Sequence, residues 1–123
     1  MSIEKINPEA LLSWPTLVHV VITSTGRLAH IAGQSAYDKN FELIGDTLHD
    51  QTLTTVKHLT IALAAAGVGP EDVVSSTVYV AGLDLEKADA FNRAFTASVD
   101  GRSFPPHALT LYACRVLPTL SSS

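Results

Sequence analysis

Residues 46–80 constrain this chain more than any other stretch. Leu48, Thr52, Val56, Leu59, Leu63 and Ala66 recur at steps of three and four, the spacing of one helical face. Gly67 supplies a stop for that helix, and Gly69-Pro70 keeps it from resuming. The next eight residues, Val-Val-Ser-Ser-Thr-Val-Tyr-Val at 73–80, are rich in β-branched side chains and too short for a typical helix. A long amphipathic helix, a tight break and a strand therefore follow one another within 35 residues. This unit says what kind of object the protein is, and the expectation is that the chemistry lies outside it.

At 123 residues, the expectation is one compact domain spanning 1–123. A chain of that size can build a core without metal or disulfide staples. Cys114 is the only cysteine, so no intrachain disulfide can form, which fits a reducing compartment. Chemistry would allow Cys114 to be a nucleophile; in an apolar strand the plain reading is a small buried hydrophobe. The net charge of −4 and the lack of any Lys/Arg run argue against a basic nucleic-acid-binding surface. The apolar stretch 59–68 is too short to span a bilayer. The N-terminal Met-Ser-Ile-Glu-Lys lacks the basic-then-apolar order of a signal peptide. A soluble cytoplasmic protein is the default expectation.

Along the chain, residues 3–15 read as irregular, with Pro8 and Pro15 as breakers. Runs 17–23 and 27–33 read as strands, joined by a Ser24-Thr25-Gly26 hairpin loop. Residues 36–45 read as a loop with a turn or short strand at 41–44. After the central unit, Asp84 is placed to cap a second helix whose apolar set is Leu85, Ala88, Phe91 and Phe95. Asp89 and Arg93 stand at i, i+4 in the favourable acid-first order. Gly101 ends that region. Pro105-Pro106 forces an extended lead-in to a last strand over 107–116. Residues 117–123 read as a frayed tail.

The order is β-β-α-β-α-β, an α+β arrangement with crossovers onto one mixed sheet and both helices on one face. The other sheet face would then be bare. The 73–80 strand is not clearly polar on either face, and 46% of the residues are hydrophobic with a mean hydropathy above zero. Burial of that face against further copies, in a homo-oligomer, is the expectation.

No P-loop, dinucleotide fingerprint or zinc cysteine pairing is present. Asp46, His49 and Asp50 occupy one helical turn and have metal-ligand spacing, but acidic side chains at a helix N-terminus also complement its dipole. His19 and His30 fall on the two hairpin strands, in a register the sequence leaves open. His58 lies mid-helix and needs no special role. Ser35, Ser75, Ser76 and Thr110 offer hydroxyls, yet no Ser-His-acid arrangement follows from spacing. His107 is the most pointed candidate, because two prolines fix the backbone before it and fixed geometry is what binding and catalysis require. The alternative is a hydrogen-bonded histidine at a strand edge.

Several segments together resemble the Rid family of reactive intermediate deaminases, also called the YjgF or UK114 family and including RutC-like proteins. They are Ala32-Gly33-Gln34, Gly45 with Gln51-Thr52, Leu63-Ala64-Ala65-Ala66-Gly67 and Glu71-Asp72-Val73-Val74. Thr77-Val78-Tyr79-Val80, Phe91-Asn92 and Phe104-Pro105-Pro106 complete the set, so that order and spacing agree over roughly residues 16–113. The resemblance implies a chorismate-mutase-like fold and a homotrimer with ligand pockets in the clefts between subunits. It also implies hydrolysis of enamines or imines, such as 2-aminoacrylate, to carbonyl product and ammonia, with no metal or cofactor.

The family's catalytic pattern is partly replaced here. Its deaminases place an arginine after the proline lead-in, where it pairs with the substrate carboxylate. In this chain that position is His107. The residue two further on, often cysteine, is Leu109, and the aromatic often found before the first strand is Leu17. Gly33, whose backbone can approach a ligand closely, remains. The family's water-activating glutamate lies in a later segment, and this chain has no Glu after Glu86. Relatives usually continue into another strand, so residues 117–123 read as a natural variant or a truncated product, with one sheet edge left open. The resemblance thus implies ligand contacts from Leu17, Gly33, His107 and Leu109, with His107 as the catalytic candidate and no metal site. The expected partners are a small molecule and further copies of the chain, not nucleic acid or membrane. Three readings follow: an enamine or imine hydrolase, a non-catalytic or regulatory metabolite-binding trimer, and a ribonuclease, against which the acidic balance counts.

Overall fold

The computed structural model describes residues 3–13, 15, 17–23 and 27–115. The strands β1 (Ile3–Ile6), β2 (Val20–Thr23) and β3 (Ala29–Ile31) form an antiparallel sheet in the order β1-β2-β3. Helix α1 (Leu48–Ala65) comes next, then β4 (Ser75–Ala81), helix α2 (Leu85–Phe95) and β5 (Ala108–Cys114). β4 and β5 pair in parallel from Ser75↔Ala108 to Ala81↔Cys114. A parallel pair needs a crossover between its strands, and α2 supplies it. The architecture is α+β.

Local chemistry sets each boundary of the central unit. The Thr47 hydroxyl accepts from the Asp50 N–H at 3.1 Å and caps α1. At the far end Gly67 has φ +78, its N–H donates to the Ala64 carbonyl at 3.0 Å, and the Val68 N–H donates to the Leu63 carbonyl at 3.1 Å. That pair of bonds is the Schellman closure, and its left-handed residue favours glycine. Thr52, Val56 and Leu63 of the predicted face are buried, joined by Ala62, while Leu48, Leu59 and Ala66 are half-buried. Asp84 caps α2 by accepting from the Lys87 N–H at 2.8 Å, as its sequence position suggested. The Asp89–Arg93 pair forms at 2.8 Å on the solvent side.

The core joins α1 to the first sheet. Leu11, Val20 and Ala62 are its buried centre, with Ile6, Ile22, Ile31 and Ile61 packed around them. α1 lies on β2 and β3 and against α2.

Several expectations need correction. Residues 3–15 are not all irregular, since β1 adds a four-residue edge strand beside β2. Four residues carrying Glu4 and Lys5, with only Ile6 reaching the core, give too little alternation to betray a strand. The two later strands do not join the hairpin in one mixed sheet; among the described residues the strands form two separate sheets, β1-β2-β3 and β4-β5. β3 is only three residues long and carries no second ladder, so the first sheet ends there among these residues. Leu85 is 91% exposed rather than part of the α2 apolar face, which consists of the buried Phe91 and Ala94 with the half-buried Ala88 and Phe95. As the first helical residue it stands clear of the packing that covers the later turns. Cys114 is exposed, not buried, because it ends β5 with its partner Ala81 equally exposed. The 24–26 loop and the 117–123 tail lie outside the described residues, though the β2–β3 register confirms the antiparallel hairpin itself.

Alternation gives β4 and β5 distinct faces. Ser75, Thr77, Tyr79 and Ala81 are exposed beside exposed Ala108, Thr110, Tyr112 and Cys114. Tyr79 and Tyr112 stack on this face with ring centroids 5.5 Å apart. On the opposite face Ser76, Val78, Val80, Leu109 and Leu111 are half-buried or buried.

Candidate functional site

His107 sits immediately before β5. The segment leading to it is anchored by the Phe104 N–H, which donates to the Phe95 carbonyl at 3.1 Å and closes the loop after α2. A tight turn within that loop has Asp100 at φ 51 and Gly101 at φ 80, with Val99 and Arg102 exchanging both backbone hydrogen bonds. Asp-Gly is the pair that tolerates two successive left-handed residues. The loop delivers Phe104 onto α2, where Phe91, Phe95 and Phe104 stack in a row at centroid separations of 5.1 and 4.8 Å. The imidazole of His107 meets Phe104 edge-on at 5.3 Å and Phe95 at 6.3 Å.

Both ring nitrogens of His107 are engaged within the chain. Nδ1 lies 2.9 Å from the Pro105 carbonyl, and Nε2 lies 2.6 Å from the Ser76 hydroxyl. A carbonyl can only accept, so Nδ1 carries the proton and donates to Pro105. With that proton on Nδ1, Nε2 is the nitrogen left to accept the Ser76 O–H. The β4–β5 register explains the meeting: Ser76 lies opposite Leu109, and His107 is two residues earlier on the same face. Sequence reading identified His107 and Ser76 separately and missed their pairing. Proline rigidity and period-two alternation were visible, but the parallel register that brings them together was not.

Leu17 and Gly33 stand elsewhere. They line a cavity of about 50 Å³ with His19, Gln34, Tyr37 and His58, and neither His107 nor Leu109 contributes to it. A Cβ built on Gly33 would meet nothing within 4 Å. This glycine is therefore not required by packing inside the chain. His58, set aside as an ordinary helical histidine, ties α1 to this wall by donating from Nδ1 to the Ser35 carbonyl at 2.8 Å. Its place was not legible in the sequence because Ser35 is 23 residues away.

His19 and His30 do not form a shared site. His30 is exposed opposite Val21. His19 is buried and fully committed: Nε2 donates to the Leu12 carbonyl at 2.6 Å, and Nδ1 accepts from the Gln34 amide at 2.9 Å. Its backbone N–H donates to Asn7 Oδ1 at 2.8 Å. The histidine thus pins the segment before β2 and the loop after β3 to one another. His49 and Asp50 meet at 3.6 Å on the surface, and among the described residues no group of three or more His, Cys, Asp or Glu is arranged to hold a metal. Also among these residues, no helix is long and apolar enough to cross a membrane. A larger surface depression of about 290 Å³, lined in part by Asn7, Glu9, Leu12 and Lys39, involves none of the predicted residues.

The sequence model of the family described as Endoribonuclease L-PSP matches residues 8–122. A RutC family protein of Saccharolobus solfataricus is 28% identical over 92 residues, 74% of this chain and 70% of that protein. The crystal structure of RidA from an Antarctic Psychrobacter species superposes with TM-score 0.74 at 23% identity, covering 93% of this chain and 87% of that one. That of Escherichia coli TdcF with bound serine gives TM-score 0.74 at 18% identity over the same shares. With a fold of this kind and a family match over nearly its whole length, the chain belongs to the Endoribonuclease L-PSP family, the Rid/YjgF family of which RutC-like proteins are part.

Proposed function

We propose that this protein assembles as a homotrimer with a chorismate-mutase-like fold and binds a small metabolite in the clefts between copies. His107 and Leu109 of one copy would meet Leu17 and Gly33 of the next. The observation that supports this most is the separation of the two residue sets. Leu17 and Gly33 border a cavity of about 50 Å³ that lacks His107 and Leu109. Ligand pockets usually run to roughly 300 Å³ or more, so a second wall is needed. The open space beside Gly33 fits the same reading. The serine in the TdcF crystal structure supports a ligand of about amino-acid size.

The ligand end that meets His107 faces an imidazole held by Pro105 and Ser76, not the fixed charge and fork of a guanidinium. Losing a preorganised charged group costs on the order of 3 kcal/mol of transition-state stabilisation, about a hundredfold in rate. Keto-acid release from enzymatically generated 2-aminoacrylate should therefore be slow beside an arginine-bearing relative, and a matching rate would overturn this reading. Gain of that activity in His107→Arg supports the site. Unchanged ligand affinity and rate in His107→Ala sinks it. A second reading, hydrolysis of imines or enamines without a carboxylate, is favoured by one observation: the Ser76 hydroxyl and His107 Nε2 form a ready proton-transfer pair at 2.6 Å.

A further inference from the structure

We propose that Ser76 is a nucleophile activated by His107, and that the pair accepts acyl groups from small uncharged esters. Serine is a weak nucleophile until a neighbouring base takes its proton, and that base must be held in the right tautomer by a third group. All three parts are present. Ser76 Oγ is 2.6 Å from Nε2, and the Pro105 carbonyl, 2.9 Å from Nδ1, fixes the proton on the far nitrogen. Edge-on contacts with Phe104 and Phe95 keep the ring from turning. Phe104 is 2% exposed, so this clamp belongs to the core and not to a mobile surface. Ser76 itself is only half-buried, which leaves it within reach of a small reagent.

The surroundings select the substrate class. Leu109 lies directly opposite Ser76, and Phe95 and Phe104 border the imidazole. These walls are apolar and suit a short acyl chain without charge. In the reaction Ser76 Oγ attacks the ester carbonyl carbon while its proton passes to Nε2. The bond from that carbon to the alkoxy oxygen then breaks, and the departing oxygen takes the proton from Nε2 and leaves as an alcohol. Water, losing a proton to His107 Nε2, then attacks the acyl carbon; the bond from that carbon to Ser76 Oγ breaks, Oγ takes the proton back from Nε2, and the acid is released. A carbonyl orients the imidazole but lends it less charge than a carboxylate would, so acylation should be easier to detect than rapid turnover.

The inference goes beyond metabolite binding, and its test needs no metabolite. The 123-residue chain is incubated with a fluorophosphonate probe and its mass measured intact and after digestion. One adduct at Ser76 is expected, absent in Ser76→Ala and formed at least about tenfold more slowly in His107→Gln. In Ser76→Cys, the thiol at 76 should react with iodoacetamide at neutral pH at least about tenfold faster than exposed Cys114, which serves as internal reference. Adding His107→Gln should remove that advantage. A wild-type chain left unlabelled at Ser76, or a thiol there no faster than Cys114, overturns the proposal.

Discussion

Replacing His19 by leucine tests how the Gly33 wall is held. The side chain is 4% exposed, and leucine is close to it in bulk, so the substitution removes hydrogen bonds with little cavity. Two bonds disappear: Nε2 to the Leu12 carbonyl at 2.6 Å and the Gln34 amide to Nδ1 at 2.9 Å. Each contributes about 1 kcal/mol net. A polar group left buried without a partner adds about 1–3 kcal/mol. The Gln34 amide retains a bond to the Ala32 carbonyl at 3.1 Å, so the added cost falls mainly on Leu12. The sum is a loss of about 3–5 kcal/mol, a large fraction of the roughly 5–15 kcal/mol available to a domain.

Urea unfolding at fixed protein concentration measures it, with His19→Leu, Gln34→Ala and the double variant forming a cycle. Fixed concentration matters because assembly would contribute to apparent stability. A coupling of about 1 kcal/mol between His19 and Gln34 is expected. A His19→Leu loss below about 0.5 kcal/mol, or no coupling, would refute the clamp.

Gly33→Ala should leave unfolding stability within about 0.5 kcal/mol, because its Cβ meets open space, yet weaken ligand binding; a stability loss with intact binding would reverse the assignment. Gly67→Ala forces a Cβ into φ +78 at the Schellman closure and should cost about 1 kcal/mol, read from the urea midpoint.

The local features of the fold were the most legible. Asp84 and Gly67 act as cap and stop because capping chemistry is decided by neighbours within four residues. The helix period picked out Val56 and Leu63 for the same reason. What the sequence concealed was long-range pairing. β1 depends on finding β2, whose partners lie 18 and 16 positions away from its two central residues, Glu4 and Lys5. The division into two sheets depends on which edges meet, and period-two alternation is silent on that. The site divides in the same way. Pro105-Pro106 marked His107 as rigid, and the family resemblance marked Leu17, Gly33 and Leu109. Ser76 and His58 acquired their places only through contacts across 31 and 23 residues.

The outward face of β4 and β5 supplies the sharpest test of assembly. Tyr79 is 68% and Tyr112 52% exposed, stacked on one another with Thr77 and Thr110 beside them. A large ring presents roughly 200 Å² when free, so the two tyrosines leave on the order of 240 Å² in water per chain. Burying it at about 25 cal/mol per Å² would contribute up to about 6 kcal/mol per copy, with the hydroxyls reducing that figure. A lone chain gains nothing from such a face, whereas three copies sharing it would. Tyr79→Glu would place like charges together in the shared interior, and each unpaired buried carboxylate costs several kcal/mol. The same change is harmless in a solvated monomer. The expected result by light scattering is a fall from the mass of three chains to that of one, with the circular dichroism spectrum unchanged. A wild type already of single-chain mass, or a glutamate variant that remains trimeric at micromolar concentration, would remove this face from the assembly and with it the second wall that the ligand cleft requires.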